Sequence, residues 1–123
     1  TKTEDIINRG GGQLLIRLYN ATKEGSIADT PVTVRTDGIP QTVEPGGTVT
    51  LCPGESITLV PYCYHTFWAI DGAVLAGEVS VVNDDEKENR FYEPLGRFPE
   101  IVEDGPPLYL TVNDYERYGL LAK

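Results

Sequence analysis

His65, in the run "PYCYHTFWA" (61–69), is the only histidine of the chain, and imidazole is the side chain best suited to metal ligation or proton transfer near neutral pH. In a strand from Tyr64 to Ile70 it shares a face with Phe67, while Tyr64, Thr66 and Trp68 share the other. The apolar, aromatic setting reads as a buried β-strand. Two roles stay open: a core histidine satisfied by one hydrogen bond, or a ligand whose partners lie elsewhere. Glu78, in "AVLAGEVSVV", is the second candidate. It falls mid-strand on the face that carries Val74, Ala76 and Ser80. Small side chains around a carboxylate leave space for a ligand, and an unpaired buried carboxylate is costly. The structural alternative is a strand end that turns Glu78 to solvent.

Two other stretches carry weaker signals. In "KTEDIINRGGG" three successive glycines ahead of a strand permit backbone conformations closed to other residues and a tight approach to neighbouring chain. No Gly-Lys-Ser/Thr ending follows, so a phosphate loop is not indicated. Glu4 and Asp5 beside them are ligands or simple surface charges. Asn83, Asp84 and Asp85 resemble the start of a calcium loop, but the glycine and terminal glutamate are not at the required spacings. Arg97, among Phe91, Tyr92 and Phe98, can fork onto ligand oxygens or stack on a ring at the surface.

Strands must position these groups. Glycine (13) and proline (9) interrupt the chain every few residues, and no apolar pattern of period 3.6 lasts beyond a turn. In "QLLIRLYNA" Leu14, Ile16 and Leu18 alternate with polar or aromatic residues, as a strand with one buried face requires. "PVTVRTDGIPQTV" predicts a hairpin turning at Asp37-Gly38. Short β runs follow at Thr48–Leu51 and Ser56–Val60, joined at Pro53-Gly54, then "YHTFWAI", "AVLAGEVSVV" and "PLYLTV". About six to eight short strands at intervals of about 8 to 12 residues predict a β-sandwich or small barrel. Residues 83–107 mix charge, aromatics and proline without alternation, as a functional loop wrapping an opening would.

The 123 residues make one domain. Nineteen acidic against ten basic residues give a net charge of −9, which argues against nucleic-acid and anionic-membrane partners. No apolar run approaches the roughly 18 residues of a spanning helix, and no charged-then-apolar leader opens the chain. Cys52 and Cys63 lack a zinc spacing and read as two buried thiols of a cytoplasmic protein rather than a disulfide.

Taken together, these pieces resemble a cupin. Glu4 followed by Gly11 fits the second half of the first cupin motif; Gly54, Pro61 and His65 fit the second, with the first interval one residue longer and the second one shorter than usual. "EDIINRGGG", "PGESITLVP", "YHTFWA", "GEVSVVNDD" and "NRFYEPLGRFPEI" resemble the cupin-type D-lyxose isomerases over nearly the whole chain. Members of that family are longer, which makes residues 1–123 a single cupin domain forming the C-terminal part of a longer chain.

The resemblance implies an all-β cupin β-barrel, antiparallel and jelly-roll-like, with a long loop over its mouth and little helix. It implies a divalent metal, Mn²⁺ above all, held by Glu4 and His65 with two further histidines expected upstream of Thr1 and absent from this chain. It implies interconversion of D-lyxose with D-xylulose, or D-mannose with D-fructose, by proton transfer through an enediolate. Glu78 is then the base and Lys2 the group that polarises oxygen or shuttles a proton, while Arg97, Asp84 and Phe67 bind the sugar. The expected partners are a monosaccharide, a second copy in a homodimer and an N-terminal fragment of the same protein. A non-catalytic sugar-binding or regulatory cupin is the alternative, and a purely structural barrel module with His65 in its core is a third.

Overall fold

The computed structural model describes residues 2–81, 90–93, 102, 104–111 and 114–120. Seven strands follow in chain order: β1 (Glu4–Ala21), β2 (Ile27–Ala28), β3 (Val32–Thr36), β4 (Ile39–Val43), β5 (Thr48–Leu51), β6 (Ser56–Leu59) and β7 (Cys63–Ser80). They form one antiparallel sheet, and no α-helix occurs among the described residues. The architecture is all-β and cupin-like. No helix among them is long and apolar enough to cross a membrane.

β1 organises the sheet. One edge pairs in succession with β6 at Glu4–Ile7, β5 at Leu14–Arg17 and β2 at Asn20–Ala21, while the other runs against β7 almost end to end. β6 continues to β3, and β3 to β4 through the hairpin at Asp37-Gly38. The alternation in β1 does what its pattern requires. Ile6, Leu14, Ile16 and Leu18 point inward and meet Val32, Val34, Val49, Leu51, Ile57 and Leu59 in one apolar cluster. At about 25 cal/mol per Å² of apolar surface removed from water, each such side chain contributes on the order of 2 kcal/mol.

The structure differs from the sequence reading in four respects, the first being that residues 107–111 of "PLYLTV" form no strand. "YHTFWAI" and "AVLAGEVSVV" are not two strands but one, the 18-residue β7. That strand is not buried either: no residue in it is buried, because among the described residues it pairs with β1 alone. Nor do the glycines precede β1; Gly10, Gly11 and Gly12 lie inside it, where the β1–β7 register shifts between Asn8 and Gly10 and again between Gly11 and Gln13. The tight approach expected of them is present. A Cβ built on Gly11 would overlap the carbonyl oxygen of Ala73, and one on Gly12 that of Ile70.

A glycine-centred bend at the middle of the ribbon has a long-range effect. Leu18 pairs with His65, so His65 is level with a residue fourteen positions along β1 from Glu4. In a straight ribbon at about 3.3 Å per residue the two would be roughly 45 Å apart. Instead Glu4 Oε1 lies 3.4 Å from His65 Nε2. The ribbon is folded over, one half held by β6 and the other by β5, whose connecting turn donates Gly54 N–H to the Asn8 carbonyl at 2.7 Å.

Candidate functional site

Where the ends of the folded ribbon meet, four charged or titratable side chains form a chain of contacts. His65 Nε2 faces Glu4 Oε1 at 3.4 Å; the other Glu4 oxygen is 3.5 Å from Lys2 Nζ; and Lys2 donates to Glu78 Oε1 at 2.6 Å and to Ser80 Oγ at 3.3 Å. The strand register explains the grouping. Glu4 sits opposite Ser80 and Ile6 opposite Glu78, so these carboxylates share the core side of the sheet near one end of β7, while His65 reaches them from the other end.

Glu4, Lys2 and His65 are largely covered, with side chains 11%, 13% and 25% exposed, whereas Glu78 is 47% exposed. Glu78 is therefore not the unpaired buried carboxylate that its small neighbours suggested. It is an ion-paired group within reach of solvent. The Lys2 hydrogen bond holds its carboxyl below the ordinary carboxylate range, and the same bond raises the Lys2 ammonium above its ordinary value.

All four side chains line a cavity of about 570 Å³, together with Cys63 and Arg90 among others. Burial first, then the charge of Glu4, pushes the Cys63 thiol up to about 11, so it stays protonated and unreactive near neutral pH. Both cysteines are free, as expected, but Cys52 is exposed rather than buried because the β5–β6 turn carries it outward.

The other sequence-derived candidates fare differently. Phe67 stacks on the His65 ring, with centroids 6.5 Å apart and planes 8° from parallel, but does not itself line the cavity. Arg97 and Asp84 lie outside the described residues. Arg90 was missed, although the same signal that singled out Arg97, an arginine followed by aromatics, is present at Arg90 with Phe91 and Tyr92.

One imidazole nitrogen and one carboxylate, side by side and mostly covered, suit Mn²⁺ or a related metal. They supply two donors: among the described residues no group of three His, Cys, Asp or Glu side chains converges. The residues present fit a metal as two of its ligands.

Glu4, Lys2, His65 and Glu78, gathered beside one cavity of a cupin-like sheet, define a compact charged site. The chain belongs to the D-lyxose isomerase family, whose model matches residues 1–115. It is 52% identical over 119 residues to a D-lyxose/D-mannose isomerase of Serratia proteamaculans and 48% identical over the same length to one of Escherichia coli O157:H7. Each alignment takes in 95% of this chain but 52% of the relative. The chain thus spans about half the length of the curated relatives it matches.

Proposed function

We propose that the protein carrying this chain is a metal-dependent aldose–ketose isomerase, cytoplasmic, acting on D-lyxose and D-xylulose and on D-mannose and D-fructose. The observation that carries it is Lys2 held between Glu4 and Glu78, with His65 beyond Glu4, all facing one cavity. Interconversion of these sugars moves one proton between C1 and C2 and one between the attached oxygens. Glu78 is ionised at neutral pH and half exposed, as a base that must reach a C–H bond has to be.

Starting from the aldose, the Glu78 carboxylate takes the C2 proton, the C–H electron pair forms the C1–C2 double bond of an enediolate, and the carbonyl oxygen at C1 takes up the charge. The Lys2 ammonium, placed to donate, stabilises that oxygen and hands over a proton. Glu78 then returns its proton to C1 as the 2-hydroxyl loses its own to Lys2, which leaves both groups in their starting states. Sugar entry exchanges the Lys2–Glu78 hydrogen bond for bonds to substrate oxygens. Glu4 and His65 would hold the metal, with the remaining ligands supplied from outside this chain. When bound, a divalent cation supplies positive charge beside the carbonyl and hydroxyl oxygens as the proton leaves.

In the full-length protein, Glu78→Gln is expected to lower kcat by roughly 10² to 10⁴ while manganese stays bound. His65→Ala is expected to leave less than stoichiometric metal by elemental analysis. Wild-type turnover in the first variant would remove Glu78 from the role of base, and full metal content in the second would remove His65 from the ligand set.

A further inference from the structure

The cavity has a second wall that the proton-transfer groups do not use. The turn at Thr22–Gly25 is fixed by its own hydrogen bonds, Gly25 N–H to the Thr22 carbonyl at 3.0 Å and Thr22 N–H to that of Ser26 at 2.8 Å. It is tied to β7 by Tyr64, whose hydroxyl donates to the Gly25 carbonyl at 2.8 Å. It is tied to the 90–93 segment by Arg90, whose Nη2 donates to the Glu24 carbonyl at 3.3 Å. Tyr64 and Tyr92 meet edge to face, 5.9 Å between centroids, which joins that segment to β7 as well. Arg90, Phe91, Tyr64 and Gly25 all line the cavity.

Arg90 is thus held against the turn, and among the described residues its guanidinium bonds the Glu24 carbonyl alone. A guanidinium carries five N–H groups in a planar fork, and the Glu24 carbonyl takes one. Among the described residues no carboxylate forms an ion pair with it. A planar fork of donors in a cavity lined also by Phe91 and Tyr64 matches a chain of adjacent hydroxyl oxygens with C–H faces between them. That pattern is a neutral polyol or sugar.

We propose that Arg90 is a sugar-binding residue, its guanidinium donating to hydroxyls on the carbons remote from the reacting carbonyl. The sugar's identity as substrate rests on the isomerase function proposed above, but the contact is tested by binding alone. Gly25 is part of the device. Its φ of 86° is in the left-handed region, and a Cβ there would overlap the Arg90 guanidinium. Glycine lets the guanidinium lie flat against the turn.

Xylitol, which has no carbonyl and cannot react, separates binding from turnover. In the full-length protein, calorimetric titration with xylitol is expected to give an affinity at least about tenfold weaker for Arg90→Ala than for wild type, the scale of a hydrogen bond to a charged group. Arg90→Lys is expected to stay weak because an ammonium cannot span two hydroxyls, and Gly25→Ala to weaken binding by moving the guanidinium. The kcat/KM for D-lyxose should fall with affinity, chiefly through KM, with metal content and melting temperature of Arg90→Ala held at wild-type values. An Arg90→Ala variant that binds xylitol within twofold of wild type overturns the proposal, as does a wild type that binds no polyol. Wild-type binding of xylitol without turnover of D-lyxose would sink the isomerase function and leave the Arg90 contact standing.

Discussion

Asn8 is the one fully buried polar side chain among the described residues, and it shows how much of the site depends on a residue with no part in its chemistry. Its Nδ2 donates to the carbonyls of Gly12 and Leu51, both at 2.9 Å, and its Oδ1 accepts from Gly10 N–H at 3.0 Å. Those bonds tie both sides of the glycine bend to the end of β5. Asn8→Ala leaves three backbone groups without that partner, the Leu51 carbonyl in a buried position and the Gly10 N–H and Gly12 carbonyl partly buried. The variant is expected to lose about 2 to 4 kcal/mol, and its melting temperature to fall by roughly 10 °C. Asn20→Ala is the control. Its amide makes two hydrogen bonds, to Thr30 Oγ1 and the Pro31 carbonyl, but at an exposed position, and it should lose no more than about 1 kcal/mol. Equal losses in thermal melts would mean that burial of Asn8 is not what matters. At this scale His65 and Glu78 stand out by residue type and setting, whereas Glu4 as a ligand and Lys2 as a proton carrier are reached only through the family resemblance. Asn8 was not legible, because an asparagine beside glycines reads as a turn former and only the fold discloses its burial.

At the scale of elements, one dipeptide produces two outcomes. Asp37-Gly38 and Asp71-Gly72 both take left-handed backbone, with φ of 47° and 82° in the first pair and 58° and 121° in the second. The first reverses the chain, since Val32–Thr36 and Ile39–Val43 alternate and pair with each other. The second does not, because it lies opposite the irregular stretch of β1 around Gly11 and Gly12. Both strands of the ribbon deform together and continue. The Asp-Gly signal therefore gives the hairpin, whereas β7 is read as two strands in error: what decides between reversal and bend is the partner strand, about sixty residues away along the chain where Gly11 meets Val74, beyond the reach of local patterns. The bend needs glycine on the β1 side. Gly11→Ala combines a φ of 99° with overlap onto the Ala73 backbone, which cannot rotate aside as a side chain would. We expect a loss of about 2 to 4 kcal/mol in urea titrations. Gly105→Ala, with open space around it, should stay within about 0.5 kcal/mol of wild type. A Gly11→Ala variant as stable as Gly105→Ala would mean that the ribbon bends without this close approach.

For the molecule as a whole, the folded ribbon sets where stability resides. At Leu14–Arg17, β1 is paired on both edges, with β5 and with β7, and its inward side chains Leu14, Ile16 and Leu18 are at most 2% exposed. β7 is paired on one edge among the described residues, and Phe67, on the core side opposite fully buried Ile16, is 46% exposed. The two strands share one ladder yet differ in what shields them. In an antiparallel pair successive amides of a strand point alternately to the partner and away. Every amide of β1 from Leu14 to Arg17 therefore has a strand to bond to, while in β7 only every second one does. Native-state hydrogen exchange is expected to follow this. Protection should be uniformly high over Leu14–Arg17, and along Cys63–Ile70 it should alternate with a period of two, neighbouring amides differing by roughly a hundredfold or more. Even protection along β7 would mean that its outer edge is paired too. The same asymmetry bears on the site: Glu4 is anchored in the strand bonded on both sides, whereas His65, Tyr64 and Glu78 ride on the strand bonded on one. The groups proposed for metal binding and proton transfer thus face each other across a strand paired on both edges and one paired, among the described residues, on one, so a local opening of β7 is expected to move His65 and Glu78 relative to Glu4.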